Sequence, residues 1–475
     1  MTAQDVNPKQ LSSNATLTLT AMSLGFAVVQ LDVTVVNVAV KSIGSSFGGG
    51  IAGLQWVVNA YTVVFASFIL TSGALGDRLG AKRLFIIGFA IFVIASICCG
   101  MALSLTMLIG FRAIQGIGAA ILVPCSLTLL NHTYQEAESR DQAVGIWAGV
   151  AGVALAGGPV LGGALIATIG WRAIFFINVP LGALGIWLTA RYASESTRTS
   201  DRPLDFTGQL AAVAGVAVLA AAMIEGGAIG WTNALVITGF IVFVMATGAF
   251  LAIEARKTSP MLPLSFFRNH TFTATSIVGF LINLAFYGLI FDLSLYWQQI
   301  KKFTPLITGL AFMPMTVIVV VANILAGYAS TKLGARAPIV VGQLIFAVGC
   351  FLLLRIDVTT HYGALWWETV LIGAGIGLTV PPMTSALLGT VDRKQSGVAS
   401  GVLNTTRQIG SVIGVALFGS LIANRTHFVA GLQIAFCIAG IVAFIGAAAA
   451  MIMIRKDSAF EDKESYIGQS VRYTR

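Results

Sequence analysis

Long apolar runs recur from one end of this sequence to the other, and they constrain the fold more than any other feature. Each run extends over about 20 residues, enough for a helix to cross a hydrocarbon core about 30 Å thick. The runs do not alternate between apolar and polar residues, so they indicate helices rather than barrel strands. Only 10% of the residues are charged, whereas soluble domains carry about 25%. The sequence therefore predicts an all-α polytopic membrane protein with fourteen transmembrane helices.

The distribution of basic residues predicts the orientation of these helices. With the N-terminus placed inside, 20 of the 28 lysines and arginines fall in inside segments, six fall outside and two lie within spans. Cytoplasmic loops carry an excess of Lys and Arg, so both termini are predicted to be cytoplasmic, in the plasma membrane of a bacterium. The net charge of +9 comes from these short loops rather than from one face of a domain. A nucleic-acid partner is therefore not expected.

Two pairs of similar segments suggest an internal duplication. Residues 116–124 resemble 373–381 at an offset of 257, and residues 73–82 resemble 327–336 at an offset of 254. Chance similarity between glycine-rich helices is the alternative, but two nearly equal offsets favour two homologous halves with a cavity between them. The predicted organisation is a six-helix bundle (1–195), two inserted helices with linkers (196–262), a second six-helix bundle (263–455) and a cytoplasmic tail (456–475).

Ionisable residues inside the spans are few, and they are the candidates for chemistry. Asp32 and Asp292 are the only acids well inside spans, and Arg112 lies within another span. Intramembrane charges are expensive and usually functional, so Asp32, Arg112 and Asp292 are predicted to couple transport to protons. A structural ion pair is the alternative for Asp32, and a water-filled vestibule is the alternative for Asp292. The histidines lie in loops or at span edges and no cysteine spacing suggests a metal site, so neither a metal nor a cofactor is expected.

Two glycine-rich segments carry mechanical predictions. In residues 73–83, the glycines permit a tight turn, and Asp77 is expected to accept from a helix N-terminus or to bind an arginine of the other half. The alternative is that the basic residues of this loop only set the orientation of the helices in the membrane. In residues 156–163, close packing against a moving helix is expected, with a simple kink at the proline as the alternative. The predicted cytoplasmic gate comprises Gly73, Asp77, Arg78, Gly80, Lys82 and Arg83, and the second motif comprises Gly158, Pro159, Gly162 and Gly163.

Polar and aromatic residues within the spans are candidates for a substrate cavity, where aromatic rings can stack on a lipophilic cation. Aromatic residues near span ends also serve as interfacial anchors, which is the alternative. The predicted cavity residues are Asn37, Trp56, Asn59, Tyr61, Gln115, Asn283, Phe286, Tyr287, Trp297 and Arg407.

These motifs resemble those of the major facilitator superfamily, and specifically its fourteen-helix drug:proton antiporter group. The resemblance covers essentially the whole chain. It implies alternating access and proton-driven export, with the span-1 acid and the span-4 arginine tied to proton coupling. Dication exporters of this group carry extra acids in late spans, which this sequence lacks. The matching residues are Gly73 to Arg83; Arg112, Gln115, Gly116 and Gly118; Gly158, Pro159, Gly162 and Gly163; Leu31, Asp32, Thr34, Val36 and Asn37; Trp171, Arg172, Phe175, Asn178 and Pro180; and the segment N-T-T-R-Q-I-G around Arg407.

The sequence therefore predicts a proton-coupled antiporter that exports amphipathic small molecules, namely drugs, biocides or lipophilic cations. Its partners would be the substrate, protons and the lipid bilayer, and it would function as a monomer. An exporter dedicated to one metabolite or self-made antibiotic is the first alternative. An importer is disfavoured by the 156–163 motif. An integral-membrane enzyme is disfavoured by the absence of a His or Cys cluster or an acid pair at the lipid boundary.

Overall fold

The structure, a computed structural model, describes residues 8–196, 206–257, 260, 262–391 and 395–454. Within these ranges the chain forms fourteen long helices and no β-strand. The sixth helix is interrupted at Ile177, and the ninth continues into a π-helical turn over Tyr296–Ile300. The helices are α1 (Pro8–Phe47), α2 (Gly50–Leu79), α3 (Ala81–Gly100), α4 (Leu105–Thr133), α5 (Ala137–Thr168), α6 (Ala173–Tyr192), α7 (Phe206–Ile229), α8 (Ala234–Arg256), α9 (His270–Leu295), α10 (Pro305–Leu333), α11 (Arg336–Leu352), α12 (Trp366–Leu388), α13 (Ser396–Leu421) and α14 (Phe428–Met453).

Thirteen of these helices are long and apolar enough to cross a membrane. The exception is α13, because polar side chains from Asn404 to Gln408 occupy its middle. It nevertheless packs against α2, α7 and α9, and its 26 residues are sufficient for a span. The predicted all-α polytopic fold is confirmed, and α13 is a spanning helix with a polar centre.

The packing of α4 in the first half is repeated by α12 in the second half. A Cβ atom on Gly118 would lie 2.7 Å from the backbone nitrogen of Phe92 in α3, and one on Gly375 would lie 2.7 Å from the backbone nitrogen of Phe346 in α11. Such glycines let helix backbones approach closely. These contacts recur at the two sequence offsets, which supports a duplicated bundle formed by α1–α6 and α9–α14.

The inserted helices lie beside the seam between the two halves. Helix α7 packs against α2 and α13, whereas α8 packs mainly against α7. The buried Gln209 of α7 donates a hydrogen bond to the carbonyl of Ser67 in α2 (2.8 Å). A Cβ atom on Gly227 would lie 2.7 Å from Cα of Ser420 in α13. Helix α7 therefore touches both halves.

The fourteen helices return the chain to the side on which it started. This side is named the termini side, and the other is named the opposite side. The corner between α2 and α3 lies on the termini side and is formed by Gly80 with φ 98°. Gly334, with φ 73°, forms the equivalent corner between α10 and α11. Only glycine adopts these conformations without strain, so both reversals are encoded locally.

The seam between α5 and α10 is tight on the opposite side and opens toward the termini side. A Cβ atom on Gly163 would lie only 2.9 Å from Cα of Leu306. Nearer the termini side, a Cβ atom on Gly152 would lie 4.0 Å from its nearest neighbour, the side chain of Asn323. A Cβ atom on Gly149 would have no neighbour within 4 Å. The space between the halves therefore opens toward the termini side along this seam.

Hydrogen bonds between the halves also lie on the opposite side. Ser294 of α9 donates to the carbonyl of Asn37 in α1 (2.6 Å). Gln55 of α2 donates to the carbonyl of Val415 in α13 (2.8 Å). These bonds close the opposite end of the space between the two bundles.

Candidate functional site

Asp32 of α1 and Arg112 of α4 form an ion pair inside the first six-helix bundle. Arg112 Nη1 donates to Asp32 Oδ2, and each side chain is only 1% exposed. Removing one partner of such a pair leaves an uncompensated buried charge and costs about 3–5 kcal/mol. The structure thus brings together the acid and the base that the sequence singled out, in an environment where the charge of one depends on the other.

Three polar side chains complete the hydrogen bonding of this pair. Gln115 accepts from Arg112 Nη1 (2.6 Å) and donates to Asp32 Oδ1 (2.9 Å). Asn178 of α6 donates to the same carboxylate oxygen (3.3 Å). Ser96 of α3 accepts from the amides of Gln115 (2.8 Å) and Asn178 (3.2 Å). Helices α1, α3, α4 and α6 therefore meet around one carboxylate.

Arg112 also contacts α2. Its Nε donates to the carbonyl of Val57 (3.1 Å), and its guanidinium carbon lies 4.3 Å from the centroid of the Tyr61 ring. A cation over an aromatic face is favourable, and more so when both groups are desolvated. Tyr61 and Gln115 were predicted to line the substrate cavity. The structure places both side chains around Arg112, because their helix registers direct them into the bundle interior. Their role in a cavity stays a prediction.

Asp292 of α9 is a second buried acid in different surroundings. Its side chain is fully buried, and neither carboxyl oxygen has a hydrogen-bond partner among the described residues. An ionised carboxylate without a donor or counter-ion is expensive in an apolar interior, so these surroundings favour the protonated form. Asp292 is therefore buried in this structure, in which the opposite side is closed, and its role in proton coupling or in an outer vestibule stays a prediction.

The first two glycines of the α5 motif face α1. A Cβ atom on Gly158 would overlap the hydroxyl of Thr34, and one on Gly162 would lie 3.3 Å from Cα of Val35. Larger residues at these positions would force α5 away from α1. The geometry on this face therefore supports close packing, which is the mechanical role predicted for the motif.

The other two residues of the motif face α10 across the seam. A Cβ atom on Gly163 would meet the backbone of Leu306, and one on Gly309 of α10 would collide with the carbonyl of Pro159. The motif thus joins α1, α5 and α10 on the opposite side.

The N-terminus of α3 is capped by the end of the α6 segment. The Glu195 carboxylate accepts from the backbone N–H of Lys82 (2.9 Å) and of Arg83 (3.3 Å). The hydroxyl of Ser196 accepts from the backbone N–H of Ala81 (3.0 Å). These groups are the unpaired donors of a first helical turn, where a negative charge is also favourable. Glu195 thus caps the N-terminus of α3, and the role of Asp77 at a helix N-terminus or on an arginine of the other half stays a prediction.

The other predicted gate residues surround this cap. A Cβ atom on Gly80 would lie 2.7 Å from the Glu195 carboxyl group, so the glycine permits the approach. The ammonium of Lys82 donates to the carbonyl of Ala190 near the end of α6 (3.0 Å). The remaining gate residues, Gly73, Asp77 and Arg78, lie in the last turns of α2.

The predicted cavity residues that remain form two groups. Asn37, Asn59 and Arg407 present buried polar atoms that have no hydrogen-bond partner in the described ranges, and so does the indole N–H of Trp297, although its ring packs on a neighbour. The others have aromatic or local partners, apart from Trp56, which is half-buried. Phe286 packs edge-on against Tyr287 (centroids 5.4 Å apart), Trp297 packs against Phe312 (4.6 Å), and Asn283 donates to the carbonyl of Gly279 (2.8 Å).

Sequence reasoning assigned no site role to three residues that hold the site: Ser96, Asn178 and Glu195. It named Asn178 only as part of the family resemblance. Asn178 had a usable signal, since an amide in an apolar span needs a partner as much as a carboxylate does. Ser96 had no signal, because a serine can satisfy itself on its own helix. Glu195 is contiguous with a charged linker, and only the fold brings it to α3.

A family model for the Major Facilitator Superfamily matches residues 22–415. A solved structure is similar along nearly the whole chain. It is a bacterial homolog of the human lysosomal transporter Spinster, in an inward-facing and unoccupied conformation, with a TM-score of 0.65 and 17% identity. The match covers 95% of this chain and 98% of that one, and it establishes similarity of fold.

Curated relatives are similar over most of their length. The methylenomycin A resistance protein of Streptomyces coelicolor is 34% identical over 441 residues, which cover 92% of each chain. The multidrug resistance protein Stp of Mycobacterium tuberculosis is 36% identical over 408 residues, covering 86% of this chain and 76% of the relative. The tetracenomycin C resistance and export protein of Streptomyces glaucescens is 31% identical over 417 residues, with the same two coverages.

Proposed function

Because this chain belongs to the major facilitator superfamily, we propose that it is a proton-coupled antiporter that exports amphipathic small molecules such as drugs and biocides. The names of the relatives, which include multidrug resistance and antibiotic resistance proteins, support the export of such compounds. The observation that carries the coupling is the buried pair of Asp32 and Arg112. Both termini are assigned to the cytoplasm because Lys and Arg concentrate on the termini side.

Protonation of Asp32 is the coupling step in this proposal. A proton on the carboxylate removes its charge and leaves Arg112 buried without a counter-ion. That state is unfavourable by several kcal/mol unless the guanidinium finds water or another partner. The proton therefore favours a rearrangement of the bundle, and deprotonation restores the pair. One charge crossing about 100 mV yields about 2.3 kcal/mol, which is less than the cost of an unpaired Arg112, so the step requires the guanidinium to reach water or another partner.

Helix α1 connects this step to the seam between the halves. Asp32 lies five residues before Asn37, whose carbonyl accepts from Ser294 of α9. Between them, Thr34 and Val35 contact the glycines of the α5 motif. A change in the pairing of Asp32 therefore acts on the helix that closes the opposite side. In this scheme the structure is open to the cytoplasm, and substrate enters from the termini side.

Asp292 is the second proton site in the proposal. Its unpartnered carboxyl group is neutral when protonated, and ionisation would require a donor or water to reach it. Such access is expected only when the second bundle moves. The two acids lie in opposite halves, so each half would carry one group whose charge depends on the state of the carrier.

The experiment is transport into inverted membrane vesicles with the variant Asp32→Asn. The wild type is expected to accumulate at least one of two fluorescent amphipathic probes, the acid dansyl-leucine or the cation ethidium, when the interior of the vesicles is made acidic. The variant is expected to lose accumulation at least tenfold and to retain exchange of labelled for unlabelled probe without a gradient, because alternating access does not itself require the charge.

The control is Glu368→Gln, which removes another buried carboxylate from an arginine. Arg355 Nε donates to Glu368 Oε1 (2.9 Å) where α11 gives way to α12, away from Asp32. This variant should transport normally. Gradient-driven accumulation by Asp32→Asn at the wild-type rate would overturn the coupling assignment. An equal loss of accumulation in Glu368→Gln would also overturn it, because it would show that the defect comes from general damage to the protein.

The relatives named for single antibiotics favour a second candidate, a dedicated exporter of one compound. Two of them are the methylenomycin A resistance protein and the tetracenomycin C resistance and export protein. Resistance profiling in cells with and without the chain separates the two candidates. Protection against many unrelated amphipaths supports the broad exporter, and protection against one chemical scaffold supports the dedicated one.

A further inference from the structure

Arg407 is a cation that lacks a counter-ion in the part of the chain that the structure describes. Its Nε is buried and has no hydrogen-bond partner. By contrast, Arg112 pairs with Asp32, and even the half-exposed Arg355 pairs with Glu368. A buried guanidinium N–H that has no acceptor is unfavourable. The position of Arg407 therefore favours an anion that the described residues do not supply.

The surroundings of Arg407 place it beside the space between the halves. It lies in the stretch of α13 over residues 404–409, where every residue is partly accessible, whereas the flanking Leu403 and Gly410 are buried. Gly279 of α9 makes room for its side chain, because a Cβ atom there would lie 3.2 Å from Arg407 Cγ. Helix α13 packs against both α2 and α9. Partly accessible residues in its middle therefore indicate that this stretch faces the space between the halves, which is named the crevice.

The acids of the interior do not neutralise Arg407. Asp32 is committed to Arg112 and its amide neighbours, and Asp292 lies in surroundings that favour its neutral form. Phe286, seven residues beyond Gly279, lies on the same face of α9 and packs edge-on against Tyr287 (centroids 5.4 Å apart). The crevice therefore presents a positive charge beside an aromatic wall.

We propose that Arg407 is the anion-recognition group of the translocation crevice, and that the exported compounds carry a carboxylate on an apolar body. The proposal rests on the proposed export function and narrows its substrate class. A guanidinium binds a carboxylate through two parallel hydrogen bonds, and it repels a cation in the same low-dielectric site. Lipophilic cations, which the sequence analysis included among the substrates, are then disfavoured.

Binding to the purified chain in lipid nanodiscs tests the proposal with three fluorescent probes. Dansyl-leucine carries a carboxylate, its methyl ester is the neutral match, and ethidium is the cation. The wild type is expected to bind the acid at least about tenfold more tightly than the ester, which corresponds to about 1.4 kcal/mol, and to bind ethidium least. Arg407→Gln should bind acid and ester alike, at the affinity of the ester. Arg407→Lys should keep part of the preference, since it keeps the charge without the fork.

Thr406→Val on the same helix is the matched control, because the Thr406 hydroxyl only donates to the backbone of Val402 (2.8 Å). It should retain the wild-type preference. The proposal is overturned if the wild type binds the ester or ethidium as tightly as the acid, if the acid does not bind, or if Arg407→Gln keeps the preference. Preferential binding of the acid without gradient-driven transport would refute the exporter and leave the role of Arg407 standing.

Discussion

The contact between α5 and α10 gives a sharp prediction, because one added methyl group should weaken the closure of the opposite side. In Gly163→Ala the new Cβ atom would lie 2.9 Å from Cα of Leu306 and closer still to the carbonyl of Pro305. Both obstacles are backbone atoms, so no rotamer change relieves the overlap. Overpacking of this kind costs about 1–3 kcal/mol. The cost applies to the state in which α5 and α10 touch, so the ratio of closed to open molecules should fall about 5- to 150-fold.

Spin-label distances across the opposite side measure this ratio. Thr168, at the end of α5, and Ile307, near the start of α10, are exposed and flank the contact, so they are suitable positions for the labels. The five native cysteines are replaced first, so that only these two positions react with the label. The wild type is expected to give mainly short distances. Gly163→Ala should give a second, longer population whose share follows the free-energy estimate.

Gly157→Ala is the matched control, since a Cβ atom on Gly157 has nothing within 4 Å. It adds the same methyl group to the same helix and should leave the distances unchanged. The reasoning is refuted if Gly163→Ala gives the wild-type distribution, or if Gly157→Ala shifts the distances as much.

Two further substitutions test the cap and the second acid. Glu195→Gln removes the charge at the N-terminus of α3, which is worth about 1 kcal/mol, so the amides of Lys82 and Arg83 should exchange hydrogen about fivefold faster by mass spectrometry; unchanged exchange would contradict the capping role. Asp292→Leu replaces an unpartnered acid by an apolar group of similar size, which is nearly neutral or stabilising, so the thermal unfolding midpoint in detergent should not fall. A drop of several degrees would show that Asp292 has partners that the geometry does not reveal.

The fold and the central pair were predictable because both follow from the cost of polar groups in lipid. An apolar run long enough to span must be helical, and a charge inside a span must find a partner. Those two rules gave the helices and the pairing of Asp32 with Arg112. Helix α13 shows the limit of the first rule, since Arg407 and its polar neighbours lower its hydropathy while packing keeps it among the spans.

The rest of the site depends on the rotation of each helix about its axis, which composition does not fix in lipid. Tyr61 and Gln115 are polar enough for a cavity wall, yet their rotation turns them toward Arg112. Asn178 reaches the same cluster from α6, and the side of the seam that stands open is set by contacts more than 100 residues apart, such as Gly163 with Leu306. No local pattern contains this information.

Helix α2 contacts the buried pair, the seam and the inserted helices. Arg112 binds the Val57 carbonyl of α2, and two residues earlier Gln55 binds α13 of the other half. Release of Arg112 from Asp32 therefore acts on the helix that holds the halves together. Helix α7 is hydrogen-bonded to α2 through Gln209, whereas it meets α13 through small and apolar contacts such as Gly227. Since apolar contacts slide more readily than a buried hydrogen bond breaks, α7 and α8 should travel with the first bundle when the halves separate.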